Sequence, residues 1–210
     1  MINGDARAEI MRSIRAHLAT SAPYDGLETQ IKTNPSISVS EDAVTSVVQL
    51  FKQNLEAVDG HCIVVGNDTE VEEVFTRIAQ GNLIAASSAP PATRDLFKYD
   101  VGITNAQAGI AETGTLVLDS AVERNRLVSL VPPVHIAIIN ASRIYATLGE
   151  ALAVLQGGGE VSPAITFITG PSRTGDIEMT LTVGVHGPRE LYVIVIEGPT
   201  QFVTEGLTRK

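Results

Sequence analysis

Residues 62–86 decide the fold, and they read CIVVGNDTEVEEVFTRIAQGNLIAA. The apolar run that opens this stretch predicts a short buried strand, and Asp68 or Thr69 is suited to cap a following helix. The helical pattern continues to Ala79, and a second apolar run follows at residues 83–86. A strand, a helix and a strand within about 25 residues form a βαβ unit. We therefore predict an α/β fold with a parallel sheet.

Upstream of this unit, apolar residues recur at helical spacing in two places. An apolar stripe of valine, phenylalanine and leucine follows Ser40, which is suited to be an N-cap, and this pattern predicts a helix. Near the start of the chain, Ile10, Ile14 and Leu18 recur every four positions and predict another helix. Residues 20–40 are rich in Ser, Pro, Thr and Asn, which indicates an extended arm or linker.

The second half of the chain contains more strands than helices. Residues 148–155 predict one helix, which ends at the glycine triplet 157–159 because that triplet is too permissive in its backbone angles to stay helical. Apolar or alternating runs predict strands at residues 115–118, 134–139, 165–169, 177–185 and 191–196. Together with the βαβ unit, these strands predict a mixed, largely parallel sheet that is flanked by helices.

The charge and cysteine content exclude several classes of function. The chain has 24 acidic and 15 basic residues and a formal net charge of −9, whereas non-specific binding of nucleic acid needs a basic surface. The one cysteine, Cys62, cannot form an intramolecular disulfide and cannot alone supply the thiolates of an iron–sulfur cluster. We therefore expect no nucleic-acid partner, no metal site and no redox cofactor on this chain.

The hydropathy pattern bears on the compartment of the protein. The apolar runs are far shorter than the roughly 20 residues of a membrane-spanning helix, so we expect no membrane span. Asp5 and Glu9 interrupt the basic residues near the start, and no apolar segment typical of a signal peptide follows them. The cytoplasm is therefore the expected location.

The segment at residues 170–178 reads GPSRTGDIE and follows a predicted strand. Hydroxyls, backbone N–H groups and a planar cation in one loop can hold a carboxylate or a phosphate. The candidate anion-binding residues are Ser172, Arg173, Thr174 and Asp176. In the alternative interpretation the segment is a tight turn, in which Arg173 forms an ion pair with Asp176 or with the acidic residue two positions later. The spacing favours neither interpretation.

Three residues are candidates for acid–base catalysis. Glu112 lies in a turn that leads into a strand, His135 opens another strand, and His186 lies in a turn at the end of a third strand. The alternative interpretation for Glu112 and His186 is a solvated turn residue, and for His135 it is a structural role at the beginning of its strand.

Four motifs occur in one order along the chain, namely AETGT at 111–115, LVPPVH at 130–135, GPSRTGDIE at 170–178 and GVHGP at 184–188. Together they resemble the LUD domain of the lactate utilisation protein C (LutC/YkgG) family. This resemblance implies the NagB/RpiA/CoA transferase-like fold, which is shared by glucosamine-6-phosphate deaminase, ribose-5-phosphate isomerase and CoA transferases. The implied division of the chain is an N-terminal helix and linker arm at 1–39, a LUD domain at 40–198 and a C-terminal tail at 199–210.

The resemblance also implies a role in the oxidation of L-lactate to pyruvate, as a cytoplasmic subunit beside iron–sulfur partner subunits. The iron–sulfur clusters would lie on those partners, because this chain shows neither cluster ligands nor a nicotinamide or flavin fingerprint. A small carboxylate or phosphate is the expected ligand. Two alternatives stay open, namely a stand-alone protein or enzyme that binds a sugar phosphate or acyl-CoA, and a non-catalytic scaffold or regulator. The sequence makes no prediction of the oligomeric state.

Overall fold

The computed structural model describes residues 4–20, 41–88, 90–123, 125–156, 162–175 and 181–200. The chain divides into two compact units, Met1–Pro35 and Ser36–Lys210. The first unit contains helix α1 (Gly4–Thr20), which confirms the helix expected at the start of the chain. The predicted arm between the units, and most of the predicted C-terminal tail, lie outside the described residues.

The second unit alternates helices and strands in its first half and is rich in strands in its second half. Its helices are α2 (Glu41–Glu56), α3 (Asp68–Ala79) and α4 (Leu148–Gln156), with short 3-10 helices at Thr93–Lys98, Arg126–Ser129 and Ala141–Arg143. Its strands are β1 (His61–Val65), β2 (Ile84–Ala86), β3 (Val101–Asn105), β4 (Ala108–Ile110), β5 (Thr115–Asp119), β6 (Val134–Asn140), β7 (Ile144–Tyr145), β8 (Ile165–Ile168), β9 (Arg173–Gly175), β10 (Leu181–Val183) and β11 (Glu190–Ile196).

Five strands form one fully parallel sheet in the order β1-β11-β6-β3-β2. The predicted βαβ unit is therefore confirmed, as strand β1, helix α3 and strand β2. Its two strands are not neighbours, because β11, β6 and β3 lie between them. Since all five strands run in the same direction, their amino ends share one edge of the sheet and their carboxyl ends share the other.

The remaining strands form a separate four-stranded sheet, β7-β4-β5-β8, and a two-stranded antiparallel ribbon of β9 and β10. The strands predicted at 115–118 and 165–169 belong to this second sheet, so the single mixed sheet of the sequence-based prediction is two sheets. The strand predicted at 177–185 is wrong at its end, because β10 stops at Val183 and Gly184 has a φ of +74°. Residues 176–180 lie outside the described residues.

Both faces of the parallel sheet are covered. On one face, α3 packs the side chains Val71, Val74, Phe75 and Ala79 against the sheet. On the other face lie α2 and the second sheet, whose buried side chains meet those of β6 and β11. A fully buried apolar side chain stabilises such a core by about 1.5–3 kcal/mol. Because both faces are covered, the parallel strands are nearly continuous apolar runs, as the sequence shows.

The alternation along β6 determines where its polar residue lies. Ile136 and Ile138 face α3, whereas Ala137 and Ile139 face α2 and the second sheet. His135 is one position before Ile136, so it shares the face of Ala137, between the two sheets. Among the helices of the described ranges, none has both the length and the apolar character that crossing a membrane requires.

Candidate functional site

A cavity of about 200 Å³ lies at the amino edge of the parallel sheet. His135 and Leu191 are the second residues of β6 and β11, and they are register partners in the sheet. The second sheet closes the cavity from the other side through β8 and the residues that follow it. The full lining is Ser129, Leu130, His135, Thr166, Phe167, Ile168, Thr169, Gly170, Pro171, Ser172, His186, Gly187, Pro188 and Leu191.

Backbone hydrogen bonds hold the loops around this cavity together. The amide of Ser172 donates to the carbonyl of Pro188 at 2.9 Å, and the amide of Gly184 donates to the carbonyl of Ser172 at 2.8 Å. The amide of Arg189 donates to the carbonyl of Pro133 at 2.7 Å. The 170–178 and 184–188 motifs are thus hydrogen-bonded to each other, and Arg189, directly after the second of them, bonds to the LVPPVH motif.

His135 is the most buried ionisable residue of the cavity, with 1% of its surface exposed. Its Nε2 lies 2.8 Å from Oγ1 of the buried Thr104, and its Nδ1 has no hydrogen-bond partner among the described residues. Burial lowers the pKa of His135 from 6.5 to about 4, so the imidazole is neutral at neutral pH. A buried nitrogen without a hydrogen-bond partner is costly.

The neutral imidazole has one hydrogen-bonding position that no described residue uses. If Nε2 carries the proton and donates to Thr104, Nδ1 is an acceptor. If the Thr104 hydroxyl donates to Nε2, Nδ1 carries the proton and is a donor. In both tautomers Nδ1 is the atom of His135 that the protein leaves unused.

The structure brings three of the predicted site residues together. His135, His186 and Ser172 all line the cavity, although they lie in three different motifs of the sequence. His186 is exposed and Ser172 is half-buried, so these two side chains lie nearer the mouth than the buried His135. Their roles in catalysis or binding stay predictions.

Glu112 does not line the cavity. Its Oε1 accepts a hydrogen bond of 2.7 Å from the backbone amide of Leu148, the first residue of α4. The turn around it is fixed from the other side, because Asn54 Nδ2 donates to the carbonyl of Ala111 at 2.7 Å. Gly114 has a φ of +64°, and a Cβ on it would lie 2.2 Å from the amide nitrogen of Leu55. The structure therefore gives this turn a packing role between α2 and α4.

Arg173, Thr174 and Asp176 are also not placed in the cavity lining. The Arg173 guanidinium forms an ion pair with Asp59, in the turn between α2 and β1, and not with a nearby residue in the sequence. Thr174 lies in the β9–β10 ribbon opposite Thr182. Asp176 lies outside the described residues. Arg173 thus has a carboxylate partner within the protein.

Three hydroxyl residues that the sequence did not single out also line the cavity, Ser129, Thr166 and Thr169. Thr169 Oγ1 lies 2.7 Å from Thr115 Oγ1, which lies 2.7 Å from Thr113 Oγ1. The two threonines of the AETGT motif are therefore connected to the cavity by hydrogen bonds that run through Thr169. Ser129 directly precedes the LVPPVH motif, and this adjacency is the signal that could have identified it.

The described residues do not fit a resident metal or cluster. Within them, no group of three or more His, Cys, Asp and Glu side chains could hold a metal ion. Cys62 is buried, and desolvation raises its pKa to about 12, so it is a protonated thiol and not a thiolate ligand.

Comparison with known protein families identifies the chain. The LUD domain family matches residues 85–196, which include β3 to β11 and the whole cavity. The chain belongs to the LUD domain family. Within it, the chain groups with proteins named lactate utilization protein C, which confirms the resemblance that the four motifs indicated.

Two relatives show how far the similarity extends. Lactate utilization protein C of Halalkalibacterium halodurans is 45% identical over 167 residues, which are 76% of this chain and 73% of that protein. Lactate utilization protein C of Exiguobacterium sp. is 46% identical over 115 residues, or 52% of this chain and 50% of that protein. In several such matches to curated relatives, this chain spans about half the length of the relative.

A solved structure supports the fold. The crystal structure of a DUF162 family protein from Deinococcus radiodurans is similar with a TM-score of 0.57 at 19% sequence identity. The similarity covers 73% of this LUD domain chain and 98% of that protein. It confirms the α/β fold with a parallel sheet, whereas the likeness to glucosamine-6-phosphate deaminase and its fold relatives stays a prediction.

Proposed function

We propose that this LUD domain protein is a cytoplasmic subunit of an L-lactate oxidation system and that it binds lactate in the cavity beside His135. The names of its relatives, lactate utilization protein C, support a role in lactate utilisation. The observation that carries the ligand proposal is the buried, neutral imidazole of His135, whose Nδ1 has no partner and whose side chain lines the cavity.

The cavity lining matches the chemistry of a small 2-hydroxy acid. Lactate carries a carboxylate and a hydroxyl on one side and a methyl group on the other. The cavity offers the hydroxyls of Ser129, Thr169 and Ser172 together with the apolar side chains of Leu130 and Leu191. Its volume of about 200 Å³ is small for a ligand site, which favours an acid of this size over a sugar phosphate or acyl-CoA.

A neutral histidine suits the hydroxyl of lactate. In the tautomer whose Nε2–H donates to Thr104, Nδ1 accepts a hydrogen bond from the lactate hydroxyl. A bound carboxylate nearby favours the imidazolium, so binding would raise the pKa of His135 and improve it as a proton acceptor. The chain thereby binds lactate and holds its hydroxyl proton.

Redox centres, in this proposal, lie on iron–sulfur partner subunits. The single buried thiol of Cys62 cannot ligate a cluster, so the electrons removed from lactate pass to another chain. The alternative of a stand-alone protein for sugar phosphates or acyl-CoA rested on the implied fold relatives and on the polar loop of the 170–178 segment. Arg173 in that segment is paired with Asp59, so no observation favours this alternative.

Two isosteric variants of His135 test the ligand proposal. A glutamine amide can replace Nε2 and keep the contact with Thr104, whereas an asparagine amide can replace Nδ1 instead. We expect His135→Gln to weaken the binding of L-lactate about tenfold in isothermal calorimetry, and His135→Asn to weaken it less. His61→Gln, at an exposed position outside the cavity, is the control and should leave the affinity unchanged.

Three outcomes would contradict the ligand proposal. These are no binding of L-lactate to the full chain, equal binding by wild type and a folded His135→Gln variant, and tighter binding of phosphate or acyl-CoA than of lactate. Circular dichroism verifies that each variant is folded. The pathway is tested separately, because a deletion strain that grows normally on L-lactate would exclude the subunit role whatever the cavity binds.

A further inference from the structure

A surface groove of about 470 Å³ lies next to the cavity. The two share Leu130, His186 and Gly187 in their linings, so they adjoin each other. The rest of the groove is lined by Phe97, Val131, Pro133, Gly184, Val185 and Arg189. Its volume is within the range of about 300–1,000 Å³ that is usual for ligand sites.

Large apolar side chains in this groove are unusually exposed. Phe97 is 82% exposed, Val185 is 52% exposed and Leu130 is 37% exposed. Single exposed apolar residues are common on protein surfaces, but three that line one groove next to a candidate site form a patch. Such patches mark surfaces that bind another apolar group.

Arg189 provides the positive charge of the groove. A Cβ on Gly184 would lie 2.1 Å from Arg189 Cγ, so the aliphatic part of Arg189 rests directly on the backbone of this turn. Among the residues that the structure describes, no Asp or Glu lines the groove. Within the described part of the chain, Arg189 forms no ion pair, in contrast to Arg173. On its other side, Arg189 borders a separate depression that contains Glu56 and Asp59, and Asp59 is already paired with Arg173.

We propose that the groove binds a monocarboxylate that carries an apolar chain. The guanidinium of Arg189 holds the carboxylate, for which its planar donors are suited. Phe97, Leu130 and Val185 cover the hydrocarbon. The net charge of −9 repels anions from most of this protein, whereas the described lining of the groove combines an arginine with no carboxylate.

This site is distinct from the lactate site proposed above. Lactate has only a methyl group to place against an apolar wall, and Arg189 does not line the cavity beside His135. The groove therefore takes a second, larger acid, and its existence does not depend on lactate binding. Because Leu130 and His186 line both sites, the two ligands would bind next to each other.

Octanoate is a suitable probe, with octanol and octylamine as matched neutral and cationic compounds. We expect the full chain to bind octanoate in isothermal calorimetry and to bind octanol and octylamine at least about tenfold more weakly. Arg189→Gln should weaken octanoate binding about tenfold, and Phe97→Ser should weaken it about fivefold. Arg77→Gln, an exposed arginine on α3, is the matched control and should not change the affinity.

The proposal is overturned if octanoate does not bind, if octanol binds as well as octanoate, or if Arg189→Gln binds octanoate like wild type. Amide chemical shifts in NMR must move at residues 130, 184–187 and 189 on addition of octanoate, and shifts confined to other residues would also overturn it. L-Lactate titrated into Arg189→Gln separates the two sites. Unchanged lactate binding with lost octanoate binding supports two sites, whereas equal loss of both contradicts a separate groove site.

Discussion

His135 and Glu123 lie near opposite edges of the parallel sheet, and each has one buried polar atom without a partner. His135 is at the amino end of β6, whereas Glu123 accepts a hydrogen bond of 3.0 Å from Asn105, the last residue of β3. Glu123 is 4% exposed. Burial favours the neutral form of both residues, because it lowers the pKa of His135 and raises the pKa of Glu123.

The surroundings of these two atoms differ. His135 lines the cavity, whereas Glu123 lines neither the cavity nor the groove beside it. The side chains of Ser87 and Gln107 also act on Glu123 and lower its pKa, but less than burial raises it. An unpartnered buried atom therefore indicates a ligand site only where open space adjoins the residue. At Glu123 the polar neighbours indicate a structural role, in which the carboxyl group fixes a loop to the end of β3.

The largest expected effect is a pH dependence of stability at His135. The pKa of this residue is about 4 in the folded protein against 6.5 for a free histidine, so the unfolded chain takes up the proton first as pH falls. Stability should therefore decrease between pH 6.5 and pH 4, by about 3 kcal/mol from this group. Urea unfolding at several pH values measures it. If His135→Gln loses as much stability over this interval as wild type, the imidazole is not buried in its neutral form.

A smaller effect is expected when the partner of His135 is removed. Thr104→Val keeps the shape of the side chain but deletes the hydroxyl that lies 2.8 Å from Nε2. The buried imidazole is then left without either partner, which should lower the free energy of unfolding by about 1–3 kcal/mol. Thr76→Val, at an exposed position on α3, is the control. Equal stability of the two variants would show that Thr104 does not hold the histidine.

The smallest effect is expected at the other edge of the sheet. Glu123→Gln keeps an acceptor for the amide of Asn105 and removes the ionisable group. Because burial raises the pKa of Glu123, wild type loses stability as pH rises above the pKa of the unfolded carboxyl. The variant should therefore be more stable than wild type at pH 8, by about 1 kcal/mol or less, and not at pH 4. Thermal unfolding at both pH values tests this, and Glu72→Gln on α3 is an exposed control.

Most individual helices and strands could be predicted from local sequence patterns. The pairing of strands that are distant in the sequence could not. The apolar pattern of residues 62–86 was sufficient for the βαβ unit. It carried no information that three other strands separate β1 from β2, because strand order depends on contacts between distant residues. For the same reason the second sheet was not separated from the first. Short strands such as β4 and β7 have too few residues to show a period.

The candidate site was predicted in part for similar reasons. Motifs identified His135, His186 and Ser172, which the fold brings to one cavity. Local spacing suggested that Arg173 pairs within its own loop or binds an anion, whereas its partner Asp59 is 114 positions earlier in the chain. Local spacing likewise could not show the partner of Glu112, because the amide that it binds belongs to α4, 36 positions later.

The tight turn at Gly114 has a consequence for how sequences of this family diverge. The turn fits against the backbone at the end of α2 only without a side chain at this position, whatever ligand the protein binds. Selection for folding alone is therefore expected to preserve the glycine in homologues with different substrates. A change of substrate should instead appear as substitutions at Ser129, His135 and Thr169, whose side chains line the cavity.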